Sequence, residues 1–70
     1  MSIETYRGYI VEGFAKPCGS GEFAALGRVS LARRVIEESD SLGAYTTQED
    51  AQHHAIQWAR KYVDHLEGQP

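Results

Sequence analysis

Residues 46–67 carry the pattern that most limits what this chain can become. Thr46 stands three residues before Glu49, and Thr47 three before Asp50. At that spacing a hydroxyl satisfies a free backbone N–H at a helix start. Acids in the first turn also meet the positive end of the helix dipole. Beyond them Ala51, Ala55, Trp58, Ala59, Tyr62 and Leu66 recur at three- and four-residue intervals, with His53, Gln57, Arg60, Asp64 and Glu67 opposite. Gly68 supplies the residue that favours a left-handed helix end. The spacing predicts one long amphipathic helix from Gln48 to Leu66. A helix with one apolar stripe covers one face of whatever it packs on.

The residues before it read as strands. Thr5 to Ala15 is rich in Tyr, Ile, Val and Phe and predicts a first strand. Lys16-Pro17-Cys18-Gly19-Ser20-Gly21 concentrates strand-breaking residues and predicts a hairpin loop. Glu22 to Ser30 resumes the pattern, with Phe23, Ala25, Gly27 and Val29 on one side. A third strand is expected over Arg34 to Ser39 through Val35 and Ile36. The turn before it, near Leu31 to Arg33, contains no Gly, Pro, Asn or Asp to mark its boundary. The expected fold is therefore α+β, a three-stranded antiparallel meander packed on one C-terminal amphipathic helix. It forms a single β-β-β-α domain over residues 3–67.

Seventy residues leave room for one domain. A core that small supplies roughly 3–5 kcal/mol and usually leans on a disulfide, a metal or a partner. Cys18 is the only cysteine, so an internal disulfide is impossible. A partner chain is the ordinary remaining solution. No apolar run approaches the ~20 residues of a membrane span, and the opening residues lack the basic and apolar regions of an export signal. With a single thiol, the chain reads as cytoplasmic.

The net charge of −3 disfavours a general nucleic-acid binder, because phosphate affinity comes mainly from Lys and Arg. The charge is unevenly placed. Residues 1–36 set Arg7, Lys16, Arg28, Arg33 and Arg34 against Glu4, Glu12 and Glu22, a balance of +2. Residues 37–70 set Arg60 and Lys61 against seven acids, a balance of −5.

Residues able to do chemistry do not assemble into a known constellation. His53 and His54 are adjacent, so on a helix they point about 100° apart, and His65 lies roughly 16 Å further along. The pairs Asp50/His54 and Glu49/His53 belong to no fuller ligand set, whereas zinc takes three or four protein ligands. A nucleophilic cysteine needs a positioned base, and nothing near Cys18 in sequence provides one. Cys18-Gly19-Ser20-Gly21 also lacks the Gly-Lys-Ser/Thr ending of a phosphate-binding loop. Glu37, Glu38 and Asp40 read as a solvated charge run, and Trp58 and Tyr62 as core. The chain is expected to have no metal, no cofactor and no enzymatic activity.

One feature remains. Tyr9-Ile10-Val11, Ala24-Ala25-Leu26 and Val35-Ile36 place apolar residues consecutively, and neighbours on a strand face opposite sides. The helix covers one face, so the other should display Tyr9, Val11 and Leu26 beside Arg7 and Arg28. If the register is the other one, the displayed set becomes Tyr6, Ile10 and Phe14. A patch of that kind marks a partner. The expectation is a homodimer or a small protein partner docked on the sheet.

Thr5-Tyr6-Arg7-Gly8-Tyr9, the Pro-Gly loop and Tyr45-Thr46-Thr47-Gln48-Glu49-Asp50-Ala51 resemble a set of short, uncharacterised bacterial proteins of strand-strand-strand-helix organisation. More distantly, Tyr6-Arg7-Gly8 and Gly43-Ala44-Tyr45-Thr46-Thr47 with Glu49-Asp50-Ala51 are similar to plant ethylene-response DNA-binding domains and phage-integrase arm-binding domains. That second resemblance implies a sheet lying in a DNA groove, with Arg7, Arg28 and Arg33 or Arg34 facing phosphates and bases. The chain departs from those families in being acidic and in having no Trp among its strands.

Overall fold

Among the described residues five strands and one helix follow one another: β1 (Ser2–Tyr6), β2 (Tyr9–Pro17), β3 (Phe23–Leu31), β4 (Arg34–Glu38), β5 (Ala44–Tyr45) and α1 (Gln48–Leu66). The computed structural model describes residues 2–68. The sheet is antiparallel throughout, in the order β1-β2-β3-β4, and β5 pairs with β3 beyond the end of β4. It packs against the single C-terminal helix, as the α+β reading expects.

The strand count is larger than three because the stretch from Thr5 to Ala15 is two strands. Arg7 and Gly8 both have positive φ, 51° and 87°, and close a two-residue hairpin between Tyr6 and Tyr9. Both central residues of such a turn must sit in the left-handed region, and Gly8 does so without a Cβ penalty. The turn between β3 and β4 has the same form on residues less suited to it, with Ala32 at φ 52° and Arg33 at 66°. The Cys18–Glu22 loop closes with Cys18 N–H donating to the Glu22 carbonyl at 2.7 Å.

The helix begins at Gln48 with Thr47 as its cap, the Thr47 hydroxyl accepting from Asp50 N–H at 3.1 Å. It ends at Leu66, followed by Gly68 at φ 78°. Its buried line is Ala51, Ala55, Ile56, Ala59 and Val63. The stripe is thus turned by part of a residue spacing from the expected one. Ile56 and Val63 join it, Trp58 and Tyr62 flank it half-buried, and Leu66 is 44% exposed.

The core has two parts. Val11, Val29, Ile56, Ala59 and Val63 form one, with Tyr6, Tyr9, Trp58 and Tyr62 packed around it. Ala25, Ala51 and Ala55 form the other, bordered by Ala15, Phe23, Leu42 and Tyr45. Between them the cross-strand pair Gly13 and Gly27 lies directly under the helix. A Cβ on Gly13 would stand 2.6 Å from the Gln52 carbonyl oxygen, and one on Gly27 2.5 Å from Cε3 of Trp58. Both positions therefore exclude side chains, and the helix rests almost on the backbone of β2 and β3. Trp58 lies over Gly27 and stacks on Tyr62, with ring centres 5.7 Å apart. Ile10 is on the face of the sheet opposite Trp58, because Val11 next to it points to the helix.

Candidate functional site

The register separates the five expected surface residues into two groups. Val11 is fully buried beneath the helix. Tyr9 pairs across the first hairpin with Tyr6, and both lean on the same core. Tyr9 Oη donates to Glu67 Oε2 at 2.9 Å, and Arg7 Nη1 donates to Asp64 Oδ1 at 2.9 Å. These three residues hold the hairpin to the helix and do not belong to the open face. The correction has a simple physical source: strand side chains have period two, so Val11 under the helix carries Tyr9 with it. Leu26 and Arg28 do lie on the helix-free face.

That face is built in cross-strand rows. Phe14 stands opposite Leu26, and Ile10 opposite Ser30, which in turn pairs with Val35. Between them runs Ile3, Glu12, Arg28 and Glu38. Arg28 holds Glu12 through both prongs of its guanidinium, at 2.9 and 3.0 Å, and reaches Glu38 at 3.8 Å. Its guanidinium carbon also lies 4.8 Å from the centre of the Phe14 ring. A forked guanidinium–carboxylate pair is the strong form of such a bond. Glu12 retains only 8% of its surface although no helix covers it. The hydrogen bond from Arg28 to Glu12 raises the arginine pKa further above its ordinary value, partly opposed by burial. Arg28 thus offsets one of the two carboxylates in the row, Ile3 at its end is 58% exposed, and Val35 beside it is 49% exposed. A shallow pocket of about 500 Å³ opens beside the row, between Phe14 and Leu26 and the Ser39–Asp40 segment.

The other margin of the molecule is a polar clasp between β1 and α1. Ser2 Oγ donates to Gln52 Oε1 at 3.1 Å, Arg60 Nε to Glu4 Oε1 at 2.7 Å, and Tyr6 Oη to Asp64 Oδ1 at 2.9 Å. From Glu4 to Tyr6 the strand advances about 6.8 Å and from Arg60 to Asp64 the helix about 6.0 Å, so those two contacts keep step, while Ser2 reaches Gln52 two turns further back. The hydrogen bonds from Tyr6 and Arg7 hold the Asp64 carboxyl below the usual aspartate value. Their counterpart is a Tyr6 hydroxyl held above its own, by the bond to Asp64 and then by burial. The bond to Glu67 raises Tyr9 in the same way. Sequence reasoning missed this clasp. Its signal lies in Ser2, Glu4 and Tyr6 alternating along β1, legible once Arg7-Gly8 is seen as a turn.

The remaining candidates stay apart. His54 stacks on Tyr45 with ring centres 4.3 Å apart, while His53 lies 3.1 Å from the Gln57 amide. Cys18 is half-buried in the hairpin loop, its sulfur 3.8 Å from the Lys16 carbonyl. Among the described residues no three His, Cys, Asp or Glu side chains converge on one point. No helix among them is long and apolar enough to cross a membrane.

Over residues 1–70 the chain matches a domain of unknown function, DUF6566, and it belongs to that family. Neither the curated proteins nor the solved structures contain a match to it.

Proposed function

We propose that this member of the DUF6566 family is a non-enzymatic, cytoplasmic interaction module that associates with a second copy of itself through the helix-free face of its sheet. The observation that carries the reading is the cross-strand row at the centre of that face. A twofold axis through its middle would set Glu12 of one copy over Arg28 of the other, and Arg28 over Glu12, with Glu38 over Ile3 at each end. A symmetric pair uses one patch twice and must be self-complementary in this way. Phe14, Leu26, Ile10 and Val35 lie on either side of the row as the apolar part of the contact. The large apolar residues here are aliphatic or half-buried aromatic, and burying them adds about 25 cal/mol per Å².

The face is small. Four strands about 4.8 Å apart and about five residues long make a patch of roughly 19 by 17 Å. That places the pair at the weak end of specific interfaces, below about 1,200 Å² in total. Its mass should therefore depend on concentration in the micromolar range or above. Sedimentation across a wide concentration range tests this directly. The wild-type chain is expected to shift from monomer to dimer, and Leu26→Asp to stay monomeric with its helix intact. A wild-type monomer at every concentration overturns the reading. On this face a DNA phosphate would have to compete with Glu12 and Glu38 for Arg28, and would meet their two carboxylates as well.

A further inference from the structure

We infer that the open edge of β1, with the groove between it and the helix, is a docking site for an extended peptide of another protein carrying a basic side chain at its centre. The inference concerns the edge of the sheet and is independent of what its face does.

The sheet has two lateral edges of opposite character. On the far side β4 is bulged against β3 between Val29 and Ser30, and it bears Arg34, Glu37 and Glu38. Bulges and charges are the usual ways to stop an edge from pairing. Next to it, the rest of that flank of β3 is satisfied by Gly43, Leu42 and Ser39 and by β5. On the near side β1 pairs with β2 in unbroken register over five residues. Among the described residues nothing pairs with its other side.

The direction of its free groups follows from the turn. Tyr6 and Tyr9 flank a two-residue hairpin and exchange both backbone bonds, and the pattern alternates away from them. Glu4 and Ser2 therefore bond to β2, while N–H and C=O of Ile3 and Thr5 point out of the sheet. Those four groups form one repeat of an empty ladder.

The helix leaves space for what such a strand would bring. It is seated over β2 and β3, and its flank overhangs β1 to enclose an open groove of about 580 Å³. Its polar lining is Ser2, Glu4, Glu49, Gln52, His53 and Arg60, with Ile3 and Ile56 as the apolar part. A strand added about 4.8 Å beyond β1 would send alternate side chains into this groove. The others would fall beside the exposed Ile3.

Charge selects the occupant. Arg60 is closed on Glu4, and the Glu49 carboxylate on the first helical turn has no ion pair among the described residues. Arg60 balances Glu4, so Glu49 is the groove's one carboxylate without a side-chain cation, facing the helix dipole alone. A second copy of β1 does not supply that cation. Antiparallel overlap of two Ser2–Tyr6 strands is centred on Glu4, which would face its own counterpart, and like charges directly opposite are destabilising. A foreign strand with Lys or Arg opposite Glu4 and apolar residues beside Ile3 and Thr5 satisfies both the ladder and the charge.

The probe is an end-capped pentapeptide, threonine-valine-lysine-valine-threonine, titrated into the full ¹⁵N-labelled chain and followed by amide shifts. Shifts are expected at Ile3, Thr5 and Gln52. Replacing the central lysine by glutamate should weaken binding at least about fivefold, from the reversal of one cross-strand pair. Glu49→Lys should narrow or invert that preference without touching the strand. Ile3→Pro, which deletes an outward N–H and no bond to β2, should abolish binding while the helix amides keep their positions. If Ile3→Pro disturbs the fold, the Glu49→Lys preference alone decides. Equal affinity for the two peptides, shifts centred on Phe14 and Leu26, or no binding up to the peptide's solubility would each overturn the proposal.

Discussion

The two faces of this sheet divide the apolar residues in an unexpected way. Toward the helix lie Gly13, Gly27, Ala15, Ala25, Val11 and Val29, met by Ala51, Ala55 and Ala59. The largest side chains fully enclosed there are valines. Away from the helix lie Phe14, Leu26 and Ile10, half-buried, and Ile3 and Val35, exposed. The bulkier helix-side residues, Tyr6, Tyr9, Phe23, Trp58 and Tyr62, stand half-buried around the margins of the two core clusters. The small residues let the helix come close, and in doing so they leave no room for bulk between the layers. The open face still carries apolar residues that no layer covers, which is why it is the one to test for a partner.

Substitution on the two faces should therefore have opposite consequences. Gly27→Val drives two methyl groups into the Trp58 ring and the Ala55 carbonyl, and should cost about 3 kcal/mol or more. Leu26→Ser, one residue away on the other face, should cost well under half as much in dilute solution. Chemical denaturation of both variants measures the ratio, and a Gly27→Val no worse than Leu26→Ser would break the comparison.

Trp58 sharpens it. Because the ring is only half-buried, Trp58→Ala should cost about 2–3 kcal/mol, less than the ~3–5 of a fully enclosed tryptophan. Arg33→Gly touches neither face. It relieves a left-handed residue in the turn after β3 and should raise stability by about 1 kcal/mol, setting the scale for the others. A thermal melt reads both.

The smallest expected effect is on pH. Asp64 has a folded pKa below its unfolded value, so its contribution is present above about pH 4 and lost as pH falls through the folded value. The raised Tyr6 and Tyr9 work in the other direction, contributing below about pH 10 and losing it as pH rises further. Asp64→Asn should flatten the acid limb of the stability curve, and an unchanged limb would show that the clasp on the helix side does not matter. Asp64 is exposed enough that solvent screens much of the effect.

How far the sequence was legible follows the range of the forces involved. The helix came out at Gln48 to Leu66 because its cap and its apolar period are both local. The strand faces did not. Reading Thr5 to Ala15 as one strand hid the Arg7-Gly8 turn, and the choice between the two faces rested on register alone. The alternative register named Tyr6, Ile10 and Phe14. Ile10 and Phe14 are indeed on the open face, whereas the turn puts Tyr6 with Tyr9 against the helix. The meaning of Gly13 could not be read at all, since it depends on the Gln52 carbonyl thirty-nine positions away. For the same reason Leu66 was expected in the stripe and Ile56 and Val63 were not. The centre of a stripe is set by what it leans on.

The contact of α1 with Gly13 and Gly27 has a mechanical consequence. Interlocking side chains can change rotamer and let two layers slide, but a helix seated on bare backbone has few such freedoms. The curvature of the sheet and the spacing of its outward rows are then settled before anything docks. Ordering interface side chains and loops normally consumes about 0.5–1.5 kcal/mol for each one immobilised. Here Glu12, Arg28 and Phe14 already hold one another in place. A patch too small to bind by area alone gains most from this kind of preorganisation, because little of its modest contact energy is lost to entropy.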